Sequence, residues 1–222
     1  MPFAGRYTLV LPGNPGSTTS PAGHGYGTMT VDATGKATLT ATLGDGTSIS
    51  RSGPVCATGL LPFYAPLYSD KGFAAGWVSF ANRPTDDVFG NVTWEAPTQG
   101  SRKRYPMGFT NATSLIGSRY VAPTNGVRVL DFEEGTADFA GGYLQGPFQN
   151  RIYLATTNKV INLSSNKLSL SFSLTAGTFS GSATEPASGN SVSFKGAVLQ
   201  KRGQAAGLFL STDRSGSIDA GR

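Results

Sequence analysis

One histidine, one cysteine and a thin scatter of carboxylates are the side chains of this chain best suited to chemistry. His24 lies in PAGHGYG, a glycine-rich stretch ahead of a strand-like run. To act as a general base it needs a nucleophile and an orienting carboxylate, which must come from elsewhere, and no G-x-S-x-G elbow is present. The plainer reading is an exposed loop histidine. Cys56, in GPVCATG, has no histidine near it in sequence and reads as a small buried hydrophobe rather than a catalytic thiol. A glycosidase-type pair of facing carboxylates can be drawn from Asp70, Glu95 and Asp131, but spacing does not show which of them meet. Asp32 and Asp45 sit in turn contexts, and Asp86 with Asp87 lies in a loop without EF-hand spacing. His24, Cys56, Asp70, Glu95 and Asp131 are thus the candidates for a hydrolytic site. One histidine and one cysteine do not make a zinc site, so no metal is expected. Gly23, Gly25 and Gly27 resemble a phosphate-binding loop only loosely. Such a loop opens a helix, whereas TMTVDA reads as a strand, so no cofactor is expected.

The stretch GPVCATGLLPFYAPLYSDKG (53–72) makes a stronger case. It sets Phe63, Tyr64 and Tyr68 around Pro62 and Pro66, with Trp77 close behind and Trp94 and Tyr105 further on. Prolines stiffen a backbone, and tyrosine and tryptophan offer large amphipathic faces at low entropic cost. Phe63, Tyr64, Tyr68, Trp77, Trp94 and Tyr105 are the candidates for an aromatic platform that stacks on sugar rings. The alternative is that they plug a barrel end or fill a core.

The elements that must carry these residues are strands. KLSLSFSLT (167–175) alternates leucine and phenylalanine with serine, and KATLTATL (36–43) alternates alanine and leucine with threonine and lysine. Period-two patterning puts one set on a core and the other in water. Turn signals recur at VDATGKA, LGDGTSI, LTAGTFSG and ASGNSV. No window keeps helical spacing for three turns. The spacing predicts an all-β fold of antiparallel β-barrel type. Pairing Gly35 with Gly177, Gly46 with Gly189, and AAGWVSF (Gly76) with AAGLFLS (Gly207) suggests an internal duplication. The halves would be 1–130 and 131–222, or one continuous barrel, with the aromatic segment at about 53–72 as an insertion in the first half.

At 222 residues, 38% hydrophobic and 10% aromatic, the chain can bury a sizeable core. Charged residues make up only 14%, and glycine is abundant. That low-charge, turn-rich composition points to an extracellular or cell-surface setting. The net charge of +5 is spread out, apart from Arg102, Lys103, Arg104 and Lys201, Arg202, which is too sparse a basic face for nucleic acid. No apolar run is long enough for a membrane-spanning helix. The opening MPFAGRYTLVLPG is too short and polar for a signal peptide, which suggests neighbouring domains of a longer parent chain.

Five segments together carry a resemblance: GYGTMTVDATGKATLTATLGDGT, FYAPLYSDKG, YPMGFTNATSLIGSRY, NKVINLSSNKLSLSF and VSFKGAVLQKRGQAAGLFLSTDRSGSI. In this order they resemble a domain of unknown function found near the C-termini of large secreted or surface multidomain proteins of Verrucomicrobia and related bacteria. QKRGQAAGLFLST departs slightly from that domain's usual QKQN-x-G-x-GFFLGT. The resemblance implies a bacterial extracytoplasmic β-domain. It implies no activity and carries over no catalytic residue. The expectation is therefore a non-catalytic binding or surface module, with polysaccharide as the ligand of the aromatic platform. A hydrolase of esterase, phosphoesterase or glycosidase type and a structural spacer are the alternatives.

Overall fold

The computed structural model describes residues 2–222. The first half holds β1 (Gly5–Leu11), β2 (Gly25–Val31), β3 (Lys36–Thr42), β4 (Ser48–Pro54), β5 (Leu60–Leu67), β6 (Gly72–Phe80), β7 (Val88–Ala96) and β8 (Phe109–Arg119). The second holds β9 (Glu134–Gly141), β10 (Phe148–Leu154), β11 (Val160–Asn162), β12 (Leu168–Ser173), β13 (Thr178–Thr184), β14 (Ser191–Leu199), β15 (Gln204–Leu210) and β16 (Ser215–Gly221). A single 3-10 turn, Gln200–Arg202, is the helical element among the described residues.

Each half is an antiparallel meander that curls until its last strand meets its first. β8 pairs with β1, and β16 pairs with β9. One seam is left in each eight-stranded sheet, between β4 and β5 in the first and between β11 and β12 in the second. The fold is therefore all-β, two nearly closed barrels of similar size, consistent with two related halves. Side chains bridge the seams where the ladder stops. Arg51 donates to the Pro66 carbonyl at 3.3 Å across the first. At the second, Asn166, just ahead of β12, accepts from the Asn150 amide of β10 at 2.8 Å and donates to the Thr184 carbonyl of β13 at 2.9 Å.

Alternation sends the larger apolar residues inward. Ala37, Leu39 and Ala41 of β3 are buried while Thr38 and Thr40 are exposed, and Leu170 of β12 is buried between exposed Ser169 and Ser171. Each barrel has its own filled core. In the second, Phe139 lies 5.3 Å from Phe194 and 4.6 Å from Phe148, ring centre to ring centre. Each large apolar side chain buried this way stabilises the fold by about 1.5–3 kcal/mol.

By strand order β2 corresponds to β10 and β3 to β11, so the turn at Gly35 matches the turn at Asn158. The two share one hydrogen-bond pattern: Asp32 and Ala155 donate to the carbonyls of Lys36 and Lys159, while Gly35 and Asn158 donate back to Asp32 and Ala155. Both take positive φ, 90° and 64°. Gly177 instead turns β12 into β13, Gly189 lies between β13 and β14, and Gly76 and Gly207 lie on β6 and β15. The glycine pairings drawn from sequence thus join strands at different places in the order. Gly76 and Gly207 do mark close backbone approach: a Cβ on either would run into the carbonyl oxygen of Asn91 or Lys195 on the neighbouring strand. Segment 53–72 supplies β5 and its turns, so it is a regular member of the first barrel's frame rather than an excursion from it. The chain crosses between barrels at 120–133.

The barrels pack through the outer faces of β1 and β2 against those of β14 and β15. Val10, Ala197, Leu199 and Ala206 form a small apolar cluster there, with Tyr26 and Ile116 against it. Polar bonds flank it. Thr8 donates to the Val198 carbonyl, the His24 amide donates to the Gly207 carbonyl at 3.2 Å, and the Gly23 amide donates to the Ser215 hydroxyl at 3.1 Å. Lys201 pairs with Asp87 at 2.6 Å.

Candidate functional site: an aromatic face on the first barrel

β5 reads LLPFYAPL, and its pleat divides the segment cleanly. Leu61, Phe63, Ala65 and Leu67 enter the core, while Leu60, Pro62, Tyr64 and Pro66 point outward. Pro62, Tyr64 and Pro66 lie opposite Trp77, Ala75 and Phe73 of β6, which also face out. Tyr64 is 62% exposed and Trp77 61%. Tyr64 stacks on Phe73 with ring centres 6.3 Å apart and planes 22° from parallel. On β7, opposite Trp77 and Ala75, stand Asn91 and Thr93, both exposed. The result is an apolar strip of rings and prolines bordered by an amide and a hydroxyl. Pro62 and Pro66 also explain the seam. Spaced four apart on one strand, their nitrogens face the same side, and neither can donate to β4. An edge with two missing donors is a poor template for another strand.

The other aromatic candidates lie elsewhere. Phe63 and Trp94 face the core, and Tyr105 is buried against the second barrel, where its hydroxyl lies 3.0 Å from that of Ser215. Tyr68 closes one end of the first barrel. Its hydroxyl donates to Asp45 at 2.7 Å and accepts from the Trp94 indole at 3.1 Å, and the Arg102 guanidinium lies 4.7 Å over its ring. Burial, reinforced by the Asp45 carboxylate, holds the Tyr68 phenol far above the usual tyrosine range. Of the six, only Tyr64 and Trp77 share an open face. Phe73 joins them, and the sequence signal for it was the cross-strand register that a hairpin at YSDKG implies.

The hydrolytic candidates are dispersed. His24 is only 8% exposed. Its Nδ1 accepts the Gly13 amide at 2.9 Å, so Nε2 carries the proton that it donates to Asp219, also at 2.9 Å. With both nitrogens engaged, the ring bolts the barrels together and is not the exposed loop histidine expected. Cys56 is exposed in the β4–β5 turn, not buried as expected. Asp70 is exposed in the β5–β6 turn, Glu95 lies on the outer face of β7, and Asp131 is exposed in the link between barrels. Among the described residues no three His, Cys, Asp or Glu side chains come together as metal ligands. No helix among them is long and apolar enough to cross a membrane.

A large concavity lies outside the barrel interiors. A cleft of about 960 Å³ opens between the two, walled by the outer faces of β12, β13 and β14, with Tyr26 and Thr42 on the first-barrel side and Tyr143 and Leu210 at its rim.

No family model matches the chain, and no curated protein matches it. Among solved structures, one similar chain is a protein of unknown function from the DUF3598 family of Nostoc punctiforme. It shares 10% identity over 99% of this chain and 96% of its own, at a TM-score of 0.25. A likeness that low carries neither a fold nor a function argument, so the chemistry of the exposed faces alone bears on function.

Proposed function

We propose that this domain is a non-catalytic surface module of a secreted bacterial protein, and that it holds polysaccharide against the outer face of β5 and β6. The observation that carries the reading is the pair of large aromatic rings, Tyr64 and Trp77, left more than half exposed on one sheet face where serine or threonine would serve solubility better. A pyranose ring presents an apolar C–H face and a rim of hydroxyls. The rings of Tyr64 and Trp77 match the first, and Asn91 and Thr93 match the second. Prolines on both sides of Tyr64 keep the strip from reorganising, which lowers the entropic cost of binding.

The test is retention on insoluble polysaccharides, cellulose, chitin and xylan among them, for the native chain and for Tyr64→Ala and Trp77→Ala. The native chain is expected to be retained by at least one. Each variant is expected to bind at least about tenfold more weakly, the equivalent of about 1.4 kcal/mol for one lost stacking contact. Retention unaffected by either change excludes this face. A structural spacer is the second reading, and the filled interiors of both barrels favour it. It requires no retention on any polysaccharide.

A further inference from the structure

The cleft between the barrels is separate from the aromatic face, and its chemistry differs. Ser169 of β12, Ser182 of β13 and Ser193 of β14 stand in one cross-strand row, with Ser171, Ser180 and Lys195 in the next. The rows belong to one pleated face, with strands about 4.8 Å apart and like-facing residues about 6.8 Å apart along each strand. Among the described residues none of these five hydroxyls bonds to another protein group, and Lys195 forms no ion pair. That contrasts with the serines that serve the fold, such as Ser188 on Glu185 and Ser215 under Tyr105. The one carboxylate at the cleft is committed: Glu185 accepts from the Ser188 hydroxyl and from the Gln145 amide at 2.5 Å. A second recess of about 260 Å³ shares Tyr26, Ser180 and Lys195 with the cleft, so the concavity runs on along β12 and β13 with the lysine between its two parts. Its floor is Tyr26, at the junction of the barrels.

We propose that this cleft is a second binding site, for an oligosaccharide bearing an acidic group. Free hydroxyls both donate and accept, as a sugar's hydroxyls require. An elongated groove suits a chain better than a compact molecule. Lys195 is the one ammonium on the wall, placed midway and without a carboxylate of its own, so it pairs with an anionic substituent on the bound chain. Short serine side chains leave the room that lysine or glutamate would fill. The site does not depend on Tyr64 or Trp77.

Isothermal titration with an oligogalacturonate and with a neutral cello-oligosaccharide of equal length tests the site, with thermal unfolding as a check that each variant folds. The acidic chain is expected to bind the native protein, and more tightly than the neutral one. Ser182→Arg, which fills the groove from an outward position, is expected to abolish that binding. Lys195→Gln is expected to weaken it at least about tenfold and remove its salt dependence. Trp77→Ala is expected to leave it unchanged. The proposal is overturned if the acidic chain does not bind, if Lys195→Gln binds it as the native protein does, or if Trp77→Ala removes the binding and Ser182→Arg does not. In that last outcome the aromatic face stands and the cleft falls. A native chain retained on no polysaccharide that still binds the acidic chain through Lys195 leaves the opposite division.

Discussion

Tyr64 and Phe63 are adjacent in sequence and opposite in fate, and the two tryptophans divide the same way. Trp77→Ala removes an exposed ring and is expected to change stability by no more than about 0.5 kcal/mol. Trp94→Ala opens a core cavity and removes the indole N–H from which the Tyr68 hydroxyl accepts, and is expected to cost about 3–5 kcal/mol by urea unfolding. Tyr68 also sets an alkaline limit. Its phenol ionises well above the ordinary tyrosine value of 10.0, so the folded state holds its proton more firmly than the unfolded chain does. That contribution is complete below about pH 10 and is lost as pH rises toward the folded value. Tyr68→Phe is expected to flatten the fall in stability on the alkaline side, measured as unfolding midpoints between about pH 9 and pH 11. Much of this scale was legible. Strict alternation separates Leu61, Phe63, Ala65 and Leu67 from Pro62, Tyr64 and Pro66 and assigns Phe63 to the core, against the place in the aromatic platform that residue type alone gave it. The sequence could not show that Asp45, Tyr68 and Trp94 meet, because that contact depends on how three separate turns and strands converge at one barrel end.

Hairpins are the element this chain repeats, and their turns were plain in the sequence. Their equivalence was not. Glycine-bearing turns look alike because each solves the same positive-φ problem, so Gly35 could be matched to Gly177 while the structural counterpart, Asn158, solved it with a different residue. Within strands, Gly76 and Gly207 are places where backbones come close. Gly76→Ala is expected to destabilise the first barrel by about 1–3 kcal/mol, since the new methyl group meets the Asn91 carbonyl. The seam offers a sharper test. Replacing Pro62 and Pro66 together with threonine restores two outward donors on β5 and creates a pairing edge. Sedimentation is expected to show concentration-dependent self-association of this variant, where the native chain shows none through this edge.

At the scale of the molecule, what joins the barrels was invisible in the sequence. His24 and Asp219 are 195 residues apart in the chain, and Tyr105 and Ser215 are 110 apart, and no local pattern announces a bond between them. Charge, composition and patterning did bound the whole to an all-β chain of barrel type, which the two nearly closed meanders bear out. The apolar cluster and flanking bonds make the joint stiff enough that heating is expected to give one cooperative transition. Leu199→Asp, which places an unpaired charge in that cluster, is expected to split it into two.

The account stands or falls on whether a saccharide covers Trp77. In the Trp94→Phe variant Trp77 is the sole indole, so its emission and its quenching by acrylamide report one exposed ring. Soluble fragments of whichever polysaccharide retains the protein are expected to shield that ring and reduce quenching in a saturable way, with the same midpoint as binding. Quenching that stays unchanged while those fragments are bound contradicts the account.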